Sequence, residues 1–588
     1  MRGAAGPFAR RHLPRAAIHR TGVRRRIIIL QHQAKSGSGT LADKKMNGAE
    51  VVAEILKREG TEFLSCYPRN PLIDACARID IRPILCRQER VGVGLADGFS
   101  RIRRGRQNGV FAAQQGPGIE NAFPGVAQAY TENVPLLVIP SGYSLKRQYN
   151  QPTFRAADVF RPVTKWAAMA HNVQELPTLM RRAYHAMRSG KGGPVLVEIP
   201  DEVFGAEFEG PLNYKPVPMV RVAPDPDAVK AAVKLIMAAK RPVIWAGQGV
   251  LYAQASDALA ELARLIPAPV ACTNPGKSAM PDAHPLSLGA STRVQPKMYT
   301  KFMADADLVI AIGSSLTTTS FGPALPVTKT VIHSTNEASD VNKDCPAAQA
   351  LVGDAQLVVA ALIEEIARQG GKVDEKRVQD LASEIAAIKR DWLGEWSSQL
   401  NSDEIPINQY RIINELMQAV DRDEVILTHD SGSPRKQILP FWQTTKAGSY
   451  MGWGKSTQLG YGLGITMGAK LAAPDKVCIN IMGDAAIGMT GMDLETAARN
   501  GIAILTIVFN NAVMAAERHV METSTAKYQA IDVGGNYAKL AEALNVASAR
   551  VDRIEHIRGA IKDAVAHTKT GRPFLLEFIV KEGYEFSS

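Results

Sequence analysis

The chain has 588 residues, 46% of them hydrophobic, enough for about three domains with buried cores. Its formal charge of +11 is concentrated: residues 1–45 hold eight Arg, three Lys and one acid, a net +10, so the rest is nearly neutral and nucleic-acid binding loses its main support. No apolar run approaches the ~20 residues of a membrane span, so no membrane partner is expected, and six cysteines without C-x-x-C pairs argue against a zinc site and a disulfide scaffold, as suits a reducing cytoplasm.

In chain order, the Arg-rich head MRGAAGPFARRHLPRAAIHRTGVRRR comes first. It has the composition of an organelle transit peptide, which leaves import open beside a cytoplasmic location; a disordered basic tail is a second reading. The expected one is an upstream extension before a natural start at Met46, where the globular pattern MNGAEVVAEILKREG begins. The first block, 46–215, contains the strand-like Arg82-Pro-Ile-Leu-Cys86, then Glu89 and VGVGLADGFSRIRRG, whose small residues suit a tightly packed helix. Taken alone, Glu89 is an ordinary first-turn acid favoured by the helix dipole. The block closes in GGPVLVEIPDEVF, and a Pro-rich link, Gly210 to Pro226, follows.

The second block, 227–370, alternates helix and strand signals, AVKAAVKLIMAAK, PVIWAGQGV, DALAELARLI, PVACTN, DLVIAIGSS and TKTVIHST, and predicts a doubly wound parallel sheet. Its Gly247-Gln-Gly249 is a lone G-x-G, better read as a tight strand-to-helix turn than as a dinucleotide fingerprint. A polar helical connector within 371–404 leads to the third block, 405–588. There a buried strand, Lys476 to Met482, precedes Gly483-Asp484-Ala485-Ala486; a helical stretch follows, and a second apolar strand, Ala503 to Phe509, ends at Asn510-Asn511. Either polar dipeptide alone is an ordinary turn. Together they put a carboxylate and a carboxamide at the carboxyl ends of two parallel strands, where both can face one hard cation such as Mg²⁺ and its phosphate ligands.

The segment GDAAIGMTGMDLETAARNGIAILTIVFNN resembles the diphosphate-binding motif of thiamine diphosphate (ThDP) enzymes, GDG followed later by NN. By that resemblance Asp484 and Asn511 are side-chain metal ligands, Val513 gives a backbone carbonyl, and Gly483, Ala485 and Ala486 lie against the diphosphate; Ala485 replaces the usual third glycine. The Glu89 segment resembles the family's strand, Glu, A-x-GYAR-x-x-G pattern, and QQGPGIENAFPGVAQAYTENVPLLVIPSG its SGPG stretch. Glu89 is then the acid held against N1′ of the aminopyrimidine to activate C2. The resemblance also implies cofactor contacts at Pro68, Asn121, Ser431, Gly432, Ser433 and Gln458, and makes Leu459 of KSTQLGYGLG the apolar prop under the bent cofactor.

The order of blocks resembles the acetolactate synthase and pyruvate decarboxylase group, which implies an α/β chain of three doubly wound parallel-sheet domains: pyrimidine-binding, middle and diphosphate-binding. Acetolactate synthase is the nearest match, yet its marks beside flavin are absent: Ser291-Thr292-Arg293 replaces a Met-His-Gly stretch, and Leu316 to Ser320 carries no Arg, so FAD is doubtful. The wording GDAAIGMTGMDLET is nearer to oxalyl-CoA decarboxylase and 2-hydroxyacyl-CoA lyase, which keeps acyl-CoA beside 2-oxo acids as a substrate class. A catalytically silent ThDP-binding protein is a third reading. Candidate substrate contacts are Arg69, Gln115, Arg155 and Lys165; an arginine in the site would imply an anionic substrate. In the family the pyrimidine and diphosphate domains of different subunits meet at the cofactor, so a homodimer or homotetramer is expected.

Overall fold

The computed structural model describes residues 45–583 and 585–587. The basic head lies outside these residues except for Lys45, whose ammonium pairs with Glu207 at 2.5 Å. Three six-stranded sheets follow one another along the chain, and every strand pair within them is parallel. The first is built from Phe63–Cys66, Arg82–Leu85, Gly109–Ala113, Leu136–Gly142, Trp166–Met169 and Val195–Pro200. Numbered in that order, they lie 2-1-3-4-6-5 across the sheet. The third sheet, from Val425–His429, Tyr450–Met451, Val477–Gly483, Ile504–Asn510, Ala547–Val551 and Phe574–Ile579, repeats that order.

The middle sheet differs. Its strands Pro242–Ala246, Val270–Thr273, Ser287–Ser291, Leu308–Ile312, Thr330–Thr335 and Gln349–Val352 lie 3-2-1-4-5-6, with a switch point between the first and fourth. Ser287–Ser291 and Gln349–Val352 were not among the strand signals of the sequence: SLGAS is small and glycine-bearing, and QALV is too short to show a period. Helices cover both faces of each sheet, so the strands read as continuous apolar runs such as Leu308–Ile312, buried along its whole length. The connector is the 21-residue helix Glu375–Glu395. It docks through Trp392, whose ring stacks on Phe441 of the third domain at 4.8 Å. All six cysteines are buried and unpaired. Among the described residues no helix is long and apolar enough to cross a membrane.

Two helices carry the contact between the first and third domains. Glu89–Ile102 has glycines at 94 and 98, and Tyr461–Ala472 has them at 464 and 468, a spacing of four that puts each pair on one helical face. The faces meet with almost no gap: a Cβ on Gly98 would lie 2.0 Å from the Ile465 carbonyl oxygen, and one on Gly468 2.0 Å from that of Leu95. Beside this seam Arg101 is bound to Asp97 at both oxygens and donates to the Gly452 carbonyl at 3.1 Å, while Tyr461 donates to Asp97 at 3.1 Å.

Candidate active site

Strands Val477–Gly483 and Ile504–Asn510 are parallel neighbours with Gly483 opposite Phe509, so both release the chain at one edge. Asp484 opens the short helix Asp484–Thr490, and Asn511 follows its strand directly. One Asp484 oxygen accepts from the Ala485 amide at 2.8 Å and the other from the Asn511 amide at 3.1 Å; Asn511 Oδ1 accepts from the Val513 amide at 3.2 Å. The Val513 carbonyl accepts from Ala515 at 2.9 Å and keeps a second lone pair. Burial raises the Asp484 carboxyl above the usual carboxylate range despite its backbone donors. A cation would reverse that penalty.

Among the described residues no group of three or more His, Cys, Asp or Glu could hold a metal. The donors here are therefore one carboxylate, one amide oxygen and one carbonyl, all hard oxygens, and they need others from outside the protein, the pattern of Mg²⁺ shared with phosphate groups. Space is left for such groups: a Cβ on Gly483 would meet nothing closer than Pro434 at 4.0 Å. Ala485 is half-buried beside it and Ala486 is fully buried.

Ser431 and Gly432 form the turn between strand Val425–His429 and the helix Ser433–Phe441, with Gly432 at φ 86°. Asp430, absent from the sequence candidates, organises this turn. Its Oδ1 accepts from the amides of Ser431 (2.7 Å) and Gly460 (2.9 Å), and its Oδ2 from that of Gly462 (2.9 Å). Burial pushes its carboxyl up to about 6 against these three donors. It fixes Gly460 at φ 85° and with it the half-buried Leu459, which packs on the apolar cluster between the first and third domains. Gln458 donates to the Pro124 carbonyl, and its Oε1 is buried without a partner.

Glu89 is 5% exposed at the start of its helix. Burial raises its pKa, opposed by its own amide and by the Asn121 side chain, which hydrogen bonds to it. Pro68 and Arg69 lie exposed after strand Phe63–Cys66, and Gln115 is half-buried after Gly109–Ala113. These two strands neighbour each other, and Arg82–Leu85 flanks them, so the loops of Arg69, Gln115 and Glu89 stand side by side on one edge. Arg155 is on the loop after Leu136–Gly142 and pairs with Asp158 at 3.2 Å. Lys165 is not brought to this edge: it precedes strand Trp166–Met169, at the opposite end of the sheet, and donates to the Ser189 and Lys191 carbonyls.

Within this one chain the residues flanking Glu89 touch the segment that follows Asp484. The Arg87 amide donates to Asp493 at 2.7 Å, and the Gln88 and Arg90 side chains both donate to the Met489 carbonyl at 3.0 Å. Burial pushes the Asp493 carboxyl up to about 6.

A cavity opens at the carboxyl edge of the middle sheet, around its switch point, and extends to Lys191 of the first domain and Lys455 of the third. The Gly247 and Gly249 amides at this edge donate to the Ile312 and Gly313 carbonyls at 2.9 and 2.8 Å. A Cβ on Gly249 would lie 2.7 Å from Gly313 Cα. The two glycines thus serve close packing of loops.

Comparison with known proteins agrees with this geometry. Three family models match in chain order: "Thiamine pyrophosphate enzyme, N-terminal TPP binding domain" over residues 46–160, "central domain" over 229–362, and "C-terminal TPP binding domain" over 430–578. The chain is similar to the "Probable acetolactate synthase large subunit" of Methanococcus aeolicus, 28% identical over 91% of this chain and 92% of that one. It is likewise similar to "Acetolactate synthase isozyme 3 large subunit" of Escherichia coli K12, at 24% over 91% and 95%, and to "Acetolactate synthase" of Mycobacterium bovis, at 27% over 92% and 89%. Each family model falls on one parallel-sheet domain, the three together span more than half of the sequence, and the chain belongs to the thiamine pyrophosphate enzymes as an acetolactate synthase-like member.

Proposed function

We propose that this chain is a ThDP- and Mg²⁺-dependent decarboxylase or carboligase that breaks or forms a carbon–carbon bond next to the carbonyl of a 2-oxo acid. The observation that carries the reading is Glu89: a buried acid with a raised pKa at a helix start, bonded to Asn121, in a chain that also presents Asp484 and Asn511 as a paired oxygen site. ThDP, when bound, would supply a nucleophilic carbon and a cationic ring able to accept the electron pair left when CO2 departs. Glu89 is the acid that would face the pyrimidine N1′, and its burial favours the protonated form. Asp484, Asn511 and the Val513 carbonyl would hold Mg²⁺, which would supply charge to anchor the diphosphate. Leu459, set by Asp430, props the space between the two ends.

The test is CO2 release from pyruvate by the purified chain loaded with ThDP and Mg²⁺, with chromatographic search for a carboligation product. Activity that survives removal of ThDP by dialysis against a chelator would defeat the reading. A second reading, a 2-hydroxyacyl-CoA or oxalyl-CoA lyase, is favoured by the GMDLET wording and by the cavity that joins the middle domain to Lys455. Formyl-CoA from such a thioester, with no CO2 from pyruvate, would select it.

A further inference from the structure

The third domain holds a buried cation with no counter-charge in bonding distance. Arg435 lies in the first turn of helix Ser433–Phe441 and is 2% exposed. Its Nε and Nη1 have no hydrogen-bond partner, and it forms no ion pair among the described residues. A buried guanidinium left this way is costly, because its five donors favour a planar anion with two oxygens. The surroundings make room for the group without satisfying it. Its carbon lies 5.5 Å from the centroid of the Phe321 ring, and a Cβ on Gly454 (φ 149°) would be 2.5 Å from Nη1. Phe321 and Gly454 both line the cavity.

Of the nearby acids, Asp430 is committed elsewhere and Glu132 is committed through one oxygen. Both Asp430 oxygens accept backbone amides, and Glu132 Oε1 accepts from Gly454 and Lys455 at 2.8 and 2.7 Å; only Glu132 Oε2 is also without a partner. Further positive charge stands close by, since Arg435 and Arg293 both depress the Lys436 ammonium, which burial lowers first. The strand order gives the location. Arg435 reaches toward Gly454, beyond the end of strand Tyr450–Met451, whereas Asp484 and Asn511 follow strands two and three places away, about 10 and about 14 Å across the sheet. The guanidinium therefore lies on the side away from Asp484 and Asn511, on the helix that starts from the turn organised by Asp430, and against Phe321 and Gly454 of the cavity wall.

We propose that Arg435 is the specificity-determining residue of the site and binds the carboxylate of the 2-oxo acid through its fork of N–H donors. This rests on the 2-oxo acid reading above and adds the group that recognises the substrate. Arg435 was not among the sequence candidates, although Ser431, Gly432 and Ser433 beside it were, and only the tertiary structure buries it without a partner.

The test uses holoenzyme loaded with ThDP and Mg²⁺, and compares pyruvate with its uncharged methyl ester, each by dissociation constant from tryptophan fluorescence and by turnover or inhibition. In Arg435→Gln, the Kd and KM for pyruvate are expected to rise at least tenfold, while values for the ester and for ThDP change less than twofold. Arg435→Lys, which keeps the charge and loses the fork, is expected to fall between. A rise in the ThDP Kd would reassign the arginine to the diphosphate and overturn the proposal. A fall in Tm with unchanged pyruvate binding, relieved by adding Glu132→Gln, would show an internal Arg–Glu pair and overturn it too. If the wild-type holoenzyme neither binds nor consumes pyruvate, the 2-oxo acid reading fails; if it does both and Arg435→Gln matches it, only the arginine assignment fails.

Discussion

At Glu89 two effects oppose one another. The helix start and the Asn121 amide favour the carboxylate, while burial favours the acid, and burial is the larger. Glu89→Gln keeps the shape and the bond to Asn121 but cannot pass a proton. It should bind ThDP with unchanged affinity and lose roughly 100-fold or more in kcat, checked by cofactor titration beside steady-state rates; full activity would remove Glu89 from the mechanism. Asp430 permits a different test. Its folded pKa, about 6, lies above the value of about 3.9 in an unfolded chain, so the native state binds the extra proton between these limits. Its contribution to stability therefore falls as pH rises from about 4 to about 6 and is level above. Thermal unfolding of wild type relative to Asp430→Asn across that range should show the decline; a pH-independent difference would contradict it. Glu89 and Asp484 could be singled out from the sequence because each stands in a contiguous strand–turn–helix stretch. Asp430 could not, because its partners Gly460 and Gly462 are 30 and 32 positions away.

The crossing of Glu89–Ile102 and Tyr461–Ala472 shows what small residues do at the level of elements. The sequence VGVGLADGFS suggests a helix that packs closely, and the structure supplies the partner, an equally notched helix from the other end of the chain. Gly98→Ala or Gly468→Ala would push a methyl into opposing backbone, which cannot swing aside as a side chain would. Each should cost about 1–3 kcal/mol in chemical denaturation. Gly559→Ala, at an exposed position of helix Ile557–Thr568 with nothing within 4 Å of the new methyl, should instead raise stability by roughly 0.5–1 kcal/mol. Equal effects at all three sites would show that helix propensity, not contact, decides. The two strands of the middle sheet that were missed, Ser287–Ser291 and Gln349–Val352, lack bulky branched side chains and are held by their neighbours in the sheet.

At the scale of the whole molecule, the repeated 2-1-3-4-6-5 order gives the first and third domains matching carboxyl edges, one bearing Glu89 and the other Asp484 and Asn511. We expect the active form to be a homodimer or a homotetramer in which these edges face one cofactor across subunits. Sedimentation at the concentration of the assay checks this, and full activity in a monomer would rule it out. The sequence by itself determined the class of fold and the order of the domains, and it singled out Glu89 and the Asp484–Asn511 pair as candidates, because alternating apolar strands and helices, and a polar pair set by one strand–helix–strand unit, are properties of neighbouring residues. Only the tertiary structure decided which helices interlock, that Lys165 stands at the opposite edge from Glu89, that Asp430 and Asp493 are pinned to distant backbone, and that Arg435 is buried without a partner. These depend on burial and on contacts between segments far apart in the chain, and the charge pattern of a linear sequence carries neither.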